Sequence, residues 1–265
     1  MRIEGATVLL TGATGGLGRA IATGLAGRGA RLILSSRKSS ELEQLAGSLP
    51  GDGHTTVVCD LADDPSGIAL IEAGAEADIF VANAALPATG RLEELSAAEV
   101  GRIIDVNLAS PVLVARELLG GMKERGEGHL VFISSLSGKS PSPRASMYNA
   151  TKFGLRGFAL ALRQDLREAN VGVSLVLPGF VRDAGMFADA GIDPPPGAGT
   201  SSPEQVAEGV ISAITGDRAE VVVAPPQQRI AMTLFGAFPR LGALAQRGLG
   251  EKVAERLAAG QRDKR

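Results

Sequence analysis

Short apolar runs alternate with helical patterns along most of this chain, and the alternation limits the folds that it can adopt. Runs rich in Val, Ile and Leu indicate buried strands, whereas apolar residues three or four positions apart indicate helices. Strands that alternate with helices pair in parallel through right-handed crossovers, with helices on both faces of the sheet. We therefore expect a single α/β domain with a doubly wound, seven-stranded parallel sheet. Its predicted strands cover residues 6–10, 32–34, 55–59, 78–82, 129–134, 171–177 and 220–224.

The composition agrees with such a sheet and argues against several classes of protein. Of the 265 residues, 45% are hydrophobic but only 3% are aromatic, so Ala, Val, Leu and Ile must build the core. The net charge of −2 provides no basic field for nucleic acid. A single cysteine, Cys59, allows no intrachain disulfide, and with two histidines it argues against a metal site. We find no signal peptide and no run of about 20 apolar residues, so we expect a cytoplasmic protein.

Helix ends are predicted from capping residues and from proline. Ser96 should cap a long helix that reaches about Arg125, with a kink or a break just before Pro111 because proline disrupts a helix interior. Ser39 or Ser40 should cap the helix that follows the second strand.

Six predicted turns bring polar residues or glycines to one edge of the sheet. Ligands of a parallel sheet bind beyond the carboxyl ends of its strands, where all six turns lie. Each turn alone has a purely structural explanation, but their common position predicts a binding site. The turns contain residues 11–18, Ser36 with Arg37, Asp60, Asn83, Ser135 and Pro178.

The turn after the first strand has the sequence TGATGGLG and the character of a phosphate-binding loop. Gly12 allows a sharp turn, Gly16 allows the backbone to approach a phosphate, and Gly18 allows the next helix to pack on the sheet. The free N–H groups at the start of that helix favour an anion such as a pyrophosphate. The spacing TGxxxGxG differs from the GxGxxG of other dinucleotide-binding turns, and a glycine-rich turn by itself can also be purely structural.

The end of the second strand indicates which dinucleotide binds. A carboxylate at this point would bind the 2′-hydroxyl of NAD, whereas an arginine accommodates the 2′-phosphate of NADP. The chain has Ser36, Arg37 and Lys38 here and no acid, and a planar guanidinium suits a phosphate. We therefore expect NADP(H) to be preferred, with NAD(H) as the second choice, unless Arg37 is simply a solvated surface residue.

Tyr148 and Lys152 lie four residues apart on a predicted helix, so their side chains share one face. An ammonium beside a phenol favours the phenolate and should lower its pKa from about 10. Ser135, after the fifth strand, could hold a substrate oxygen together with the phenol. The three residues would then form a general acid/base for an alcohol–carbonyl pair. The spacing alone also fits a surface tyrosine and a solvated lysine.

Taken together, these motifs resemble the short-chain dehydrogenase/reductase family over residues 5 to about 224. The resemblance implies a Rossmann-type fold and hydride transfer between a nicotinamide cofactor and a small-molecule alcohol or carbonyl substrate. It further implies a homodimer or homotetramer built through two long helices. The motifs that carry it are Thr11-Gly12-xxx-Gly16-x-Gly18, Asp60-Leu61, Asn107 in Asp-Val-Asn-Leu, Ile133-Ser-Ser135 with Tyr148-xxx-Lys152, and Pro178-Gly179.

The resemblance also implies a role for each residue of the set. Tyr148 would pass a proton to or from the substrate oxygen, which Ser135 would hold. Lys152 would lower the pKa of the phenol and bind the nicotinamide ribose, and Asn107 would anchor a water in a proton relay. The implied cofactor-binding residues, with no metal ligand among them, are Gly12, Thr14, Gly16, Leu17, Gly18, Ser36, Arg37, Asp60, Leu61, Asn83, Ala84, Tyr148, Lys152, Pro178, Gly179 and Val181.

Three positions depart from the family pattern. Ala85 replaces a glycine and adds a methyl group near the expected ribose, and Thr151 replaces the serine before the lysine. Asp183 replaces a threonine near the expected carboxamide, where a carboxylate would repel a pyrophosphate. The departures at Ala85 and Asp183 support one alternative to an NADP-preferring oxidoreductase, a non-catalytic NADP(H)-binding regulator or scaffold.

Two segments outside the motifs are expected to shape the substrate site. Residues 182–202 contain three consecutive prolines and several glycines, which predicts a mobile substrate loop. Residues 225–265 form a C-terminal extension that could cover the substrate pocket or a partner subunit, lie on a membrane surface as an amphipathic helix, or be loosely ordered. Gly236, Pro239 and Gly242 argue against one long helix, and residues 261–265 are expected to be a frayed polar end. The periodic residues of the extension are Ile230, Leu234, Phe235, Phe238, Leu241, Leu244 and Leu249, with Arg229, Arg240 and Arg247 between them.

Overall fold

Seven strands form one parallel sheet in the computed structural model, which describes residues 1–188, 191, 194, 197–246 and 249–260. They are β1 (Thr7–Thr11), β2 (Arg31–Ser36), β3 (Thr55–Val58), β4 (Ile79–Ala82), β5 (Gly128–Ile133), β6 (Val171–Pro178) and β7 (Glu220–Val223). Their order across the sheet is β3-β2-β1-β4-β5-β6-β7. The predicted doubly wound sheet is confirmed, and each strand end lies within two residues of its predicted position.

Helices cover both faces of this sheet. One face packs against α1, α2 and α8, and the other packs against α3, α5 and α6. The helices are α1 (Gly16–Ala26), α2 (Ser39–Ser48), α3 (Ile68–Ala73), α4 (Ala97–Ile104), α5 (Ser110–Arg125), α6 (Ser146–Asp165), α7 (Gly185–Ala188), α8 (Pro203–Thr215), α9 (Pro226–Ala237), α10 (Pro239–Gln246) and α11 (Leu249–Gly260).

The central strands are continuous apolar runs because both of their faces are covered. Successive side chains of a strand point to opposite faces. In β1, Val8 and Leu10 join the apolar cluster of one face and Leu9 joins the cluster of the other, and all three are fully buried.

The break predicted before Pro111 is present. Ser96 caps α4 as predicted, since its Oγ accepts a hydrogen bond from the backbone N–H of Glu99 at 3.2 Å. A π-helical turn, Asp105–Ala109, then separates α4 from α5. Pro111 has no N–H group to donate to the carbonyl of Asn107, four residues earlier, which accounts for the irregular backbone at this point.

The predicted cap of α2 is wrong. The helix begins at Ser39 after Lys38, so neither Ser39 nor Ser40 is the capping residue. The Ser39 hydroxyl donates instead to the Glu43 carboxylate at 3.1 Å. Glu41 in the first turn pairs with Lys38 at 2.6 Å, and a carboxylate in this position is favoured by the helix dipole.

The C-terminal extension forms three helices rather than one. Phe238 separates α9 from α10, and Pro239 is the first residue of α10, so the predicted interruption is confirmed. Arg247, residues 261–265 and the side chain of Leu249, all named in the predictions above, lie outside the described part of the chain. No helix in the described part combines the length and the apolar character needed to cross a bilayer.

The predicted substrate loop is closed at its neck by two backbone hydrogen bonds. The N–H of Arg182 donates to the carbonyl of Ser201 at 3.0 Å, and the N–H of Ser201 donates to the carbonyl of Phe180 at 2.9 Å. Val181 and Ser201 form an isolated parallel bridge. The first and last residues of this loop are therefore held together beside the end of β6.

Candidate active site

The strand order reverses between β1 and β4, and the predicted site residues meet at the carboxyl ends of these and the neighbouring strands. The amide of Asn83, after β4, donates to the carbonyls of Thr11 and Gly12 at 3.0 and 3.1 Å. The hydroxyl of Thr11 accepts hydrogen bonds from the N–H groups of Asn83 and Ala84, both at 3.1 Å. These four bonds fix the glycine turn against the loop that follows β4.

Glycine is required in the turn for steric reasons. Gly12 has φ +65°, and a Cβ atom there would lie 2.9 Å from the Cα of Ala84. A Cβ at Gly18 would lie 2.1 Å from the Gly12 carbonyl oxygen, so Gly18 lets α1 begin directly on the turn. A Cβ at Gly16 would lie 2.5 Å from the Cβ of Ala184 in the loop after β6. Glycine at position 16 therefore allows the loop after β6 to pack directly against the turn.

Basic side chains gather at the end of β2. Arg37 Nη1 lies 3.6 Å from the Asp60 carboxylate, and both side chains reach solvent. Arg19 Nε donates to the carbonyl of Thr14 at 2.9 Å, and its guanidinium pairs with Glu41, which also pairs with Lys38. The hydrogen bond from Lys38 holds the pKa of the Glu41 carboxyl below its usual value. Three cations thus surround the point where the resemblance places the adenosine phosphate.

The predicted catalytic side chains Ser135, Tyr148 and Lys152 are brought together. The Ser135 hydroxyl lies near enough to the Tyr148 phenol to lower its pKa, and the Lys152 ammonium lies 5.7 Å from the centre of the Tyr148 ring. Lys152 is 3% exposed, and its Nζ donates to the carbonyl of Ile133, the last residue of β5, at 3.0 Å. Helix α6 is therefore tied to the end of the strand that carries Ser135.

The expectation that Lys152 lowers the pKa of Tyr148 is wrong. Burial raises the pKa of Tyr148, and the hydrogen bond from Ser135 lowers it only in part. Burial also lowers the pKa of Lys152 to about 8. The physical reason is that the described hydrogen bond of the ammonium goes to Ile133 rather than to the phenol, so desolvation dominates both groups. The phenol is then protonated at neutral pH.

Asn107 occupies the π-helical turn, and both ends of its side-chain amide are bound to Leu86. Its Oδ1 accepts from the backbone N–H of Leu86 at 2.6 Å, and its Nδ2 donates to the Leu86 carbonyl at 3.0 Å. Among the described residues, no hydrogen bond joins Asn107 to Ser135, Tyr148 or Lys152. The turn reaches α6 through Leu108, which packs against Gly154.

Two further residues, Asn149 and Glu220, hold the segment between Ser135 and Tyr148. Asn149 donates to the carbonyls of Ser137 and Ser140 at 2.7 and 3.2 Å. Glu220, at the start of β7, pairs with Lys139 at 2.9 Å and with Arg156. Burial opposes the ionisation of Glu220, but these two cations hold the pKa of its carboxyl below the usual value. The segment between Ser135 and Tyr148 is thus anchored to both α6 and β7.

Gln228 of α9 joins the loop after β6 to the end of the substrate loop. Its side chain is buried, and its Oε1 accepts from the N–H of Phe180 at 3.2 Å. Its Nε2 donates to the carbonyls of Ala198 and Gly199 at 3.1 and 2.8 Å. A Cβ at Gly179 would lie 2.1 Å from the Gln228 Oε1, so glycine is needed at that position.

The remaining predicted residues take the following positions. Asp183 has φ +64°, faces solvent, and pairs with the adjacent Arg182 at 3.4 Å, which weakens its support for a non-catalytic protein. The Thr151 hydroxyl donates to the carbonyl of Tyr148 at 3.0 Å. The other predicted residues lie at the same edge of the sheet. Leu61 and Ala84 line the same small cavity, and Leu17 lies beside Gly185. The Ser36 Oγ accepts a hydrogen bond from the N–H of Lys38, Pro178 is the last residue of β6, and Ala85 is half-buried.

Three residues with site contacts were not predicted from the sequence. Arg19 directly follows Gly18, and Asn149 directly follows Tyr148, so their position next to a motif was an available signal. Gln228 had no such signal, because its partners lie about 30 and 48 residues away in sequence. In the described part of the chain, no group of three or more His, Cys, Asp or Glu side chains could hold a metal ion.

Comparison with known proteins identifies a matching family and several similar proteins. The family model described as short chain dehydrogenase matches residues 6–194. Ketoacyl reductase HetN of Nostoc sp. is 36% identical over 227 residues, covering 83% of this chain and 79% of that protein. Dehydrogenase/reductase SDR family member 7B of Bos taurus is 32% identical over 259 residues, covering 90% of this chain and 79% of that protein. A solved short-chain dehydrogenase from Sphingobium yanoikuyae in complex with NADPH has a TM-score of 0.77 and 25% identity, over 92% of this chain and 97% of that chain.

Proposed function

Because this chain belongs to the short-chain dehydrogenase family and is an oxidoreductase acting on CH–OH groups, we propose that it interconverts a secondary alcohol and its ketone with NADP(H), using Tyr148 as the general acid/base. The observation that supports this most directly is the contact between Ser135 and the Tyr148 phenol beside the buried Lys152. An NAD(P) cofactor is used, and the preference for NADP(H) is the finer part of the proposal.

The residues at the carboxyl edge fit such a cofactor. The first turn of α1 contains no acidic residue, and the capping residue Gly15 makes no side-chain hydrogen bond, so the N–H groups of this turn can face a pyrophosphate. Arg37 and Lys38 would hold the 2′-phosphate, with Asp60 beside the adenosine end. When bound, the cofactor supplies or accepts the hydride. The protein would position the cofactor and the substrate, bind the phosphates through N–H groups and basic side chains, and supply a proton.

The protonation state of Tyr148 favours reduction of a carbonyl. A phenol whose pKa is raised by burial carries its proton at neutral pH, and it can donate that proton to a carbonyl oxygen as the oxygen gains charge. Ser135 would hold the same oxygen through its hydroxyl. Lys152, with a pKa of about 8, is mostly protonated at neutral pH and would stabilise the phenolate that remains.

Asn107 would take part in proton transfer through its backbone. Its side-chain amide is bound to Leu86 at both ends, and Pro111, four residues later, has no N–H group to donate to its carbonyl. A water that Asn107 anchors would therefore bind this backbone carbonyl. This refines the role that the resemblance implied for the residue.

The substrate class is proposed from a relative and from the lining of the loop region. The Nostoc relative is named a ketoacyl reductase, so a 3-oxoacyl thioester and simple apolar ketones are the first carbonyls to test. The segment that would face them, between β6 and α8, carries Ala184 and the loop closed at Val181 and Ser201.

The test is a purified Tyr148→Phe variant, which removes the hydroxyl and keeps the ring. We expect its kcat/KM for carbonyl reduction to fall by about a hundredfold or more, while fluorescence titration should show that the variant still binds NADPH. Ser135→Ala should also lower turnover, and Ser137→Ala, two residues away, serves as the matched control with near-normal turnover. Normal turnover by the Tyr148→Phe variant would reject the proposed role of the phenol.

A further inference from the structure

Exposed apolar side chains are concentrated on α9 and α10. Ile230 is 62% exposed and Phe238 is 60% exposed, and Leu234, Leu241 and Leu244 are also largely exposed. Ile230 and Leu234 are four residues apart on α9, and Leu241 and Leu244 are three residues apart on α10, so each pair shares one side of its helix. Phe238 lies between the two helices. Clustered exposure of this kind marks an interaction surface, whereas single exposed apolar residues need no explanation.

The opposite side of these helices is occupied by the protein itself. The side chain of Gln228, which belongs to α9, is buried. A Cβ at Gly236 would lie 2.3 Å from the carbonyl oxygen of Lys139, so α9 lies directly on the segment after Ser135. Arg144 pairs with Glu255 of α11, which ties the extension to the segment before Tyr148. α9 is therefore anchored by the side opposite Ile230 and Leu234, and α10 packs on α9 where Gly242 lies against Phe235.

The charged side chains of this part of the sequence are all basic. Residues 221–250 contain three arginines and no acid, which is +3 within a chain whose net charge is −2. Arg229 and Arg240 are exposed next to the apolar set. Arg229 also lines a shallow surface groove of about 300 Å³ together with Ile230, Thr233 and Leu234. Apolar side chains edged by arginines complement a surface that is apolar and anionic.

We propose that the outward face of α9 and α10, defined by Ile230, Leu234, Phe238, Leu241 and Leu244, binds the interface of an anionic lipid bilayer. The contact is interfacial, in the manner of an amphipathic helix that buries its apolar side chains at the headgroup boundary. A second copy of this chain is a poorer occupant. A two-fold contact would place the arginines of one face near the same arginines of the other, without acids to pair them.

The position of this face gives it a functional consequence. The inner side of α9 lies on the Lys139 segment and, through Gln228, on the loop after β6. A bilayer held against the outer side would therefore lie next to the substrate end of the cleft. An apolar substrate could then reach the site from the lipid phase.

The experiment is vesicle flotation with the full chain, using phosphatidylcholine vesicles with and without phosphatidylglycerol. We expect binding to the anionic vesicles that weakens as salt rises. Ile230→Glu should reduce the bound fraction by about tenfold. Ile68→Glu is the matched control, because Ile68 is 58% exposed on α3 and should leave binding unchanged. Arg240→Ser should keep the apolar contact and reduce the preference for anionic vesicles.

Several results would overturn the proposal. Absence of vesicle binding by the unaltered chain would do so, as would equal binding by the Ile230→Glu and Ile68→Glu variants. Sedimentation that shows the unaltered chain associating through this face, with Ile230→Glu dissociating it and no vesicle binding, would assign the surface to a second copy. Circular dichroism of each variant distinguishes a lost contact from a lost fold.

Discussion

The side-chain oxygen of Gln228 accepts a hydrogen bond from the backbone N–H of Phe180, 3.2 Å away, so a helix of the extension holds the loop that follows β6. Gln228→Met keeps about the volume of this buried side chain but removes its hydrogen bonds to the Phe180 N–H and to the Gly199 carbonyl. The Ala198 carbonyl keeps its bond from Gln227. We expect the free energy of unfolding to fall by about 2–3 kcal/mol and the dissociation constant of NADPH to rise. Urea denaturation and fluorescence titration measure the two effects.

The adjacent Gln227 provides the control for this substitution. It donates to the carbonyls of Gly197 and Ala198 from an exposed position. Gln227→Met should therefore change the unfolding free energy by no more than about 0.5 kcal/mol. Equal effects of the two substitutions would contradict the special position of Gln228.

Cofactor preference should depend on the carboxyl end of β2 and not on its amino end. Arg37→Asp places a carboxylate at the carboxyl end, beside Asp60, and should weaken NADPH binding at least about tenfold while changing NADH binding much less. Arg31→Asp makes the same change at the amino end of the same strand, where Arg31 is exposed, and should alter neither affinity. Isothermal titration with NADPH and with NADH measures both affinities for each variant. Unchanged NADPH affinity in the Arg37 variant would remove this residue from the site.

The glycine turn should tolerate no added methyl group at Gly18. A Cβ there would lie 2.1 Å from the carbonyl oxygen of Gly12 and 2.8 Å from the backbone of Ala13, so Gly18→Ala should lower the unfolding free energy by about 3 kcal/mol. Gly101→Ala is the matched change in α4, where a Cβ would meet no heavy atom within 4 Å. It should stabilise the protein by about 0.5–1 kcal/mol. Thermal and urea unfolding of both variants would show opposite signs.

Acid stability should depend on His129 of β5. Burial lowers its pKa to about 4 from 6.5, and its ring bonds the hydroxyl of Ser174 at 2.9 Å. Between these two pH values the unfolded chain binds a proton that the folded chain does not, so stability falls as pH falls through this window. The loss amounts to about 3 kcal/mol. Urea midpoints between pH 7 and about pH 4 should decline less steeply for His129→Gln, and equal slopes would contradict this account.

The local motifs of the sequence predict most of the fold and of the site. Strands and most helices follow from periodicity, and Arg37 and Asp60 meet because adjacent parallel strands present their carboxyl ends at one edge. The break at Pro111 follows from a missing N–H group. Each of these inferences uses residues that are close in sequence or equivalent by strand order.

What could not be predicted depends on packing between distant segments. The pKa of Tyr148 was expected to fall, but burial raises it, and burial is a property of the folded chain rather than of the spacing to Lys152. The cap of α2 was assigned to a serine, although the ion pairs of Glu41 with Lys38 and Arg19 stabilise the start of that helix. Gln228 has no local motif at all.

The closed neck of the substrate loop has a consequence for how this enzyme could diversify. Because hydrogen bonds between Arg182 and Ser201 and between Ser201 and Phe180 fix both ends, the intervening segment can be lengthened or exchanged at a small entropic cost that rises only with the logarithm of its length. If residues 182–202 contact the substrate, as we propose, grafting such a segment from another enzyme should alter substrate selectivity and leave Tyr148 in place. The segment that would set substrate specificity could thus be exchanged without disturbing the rest of the fold.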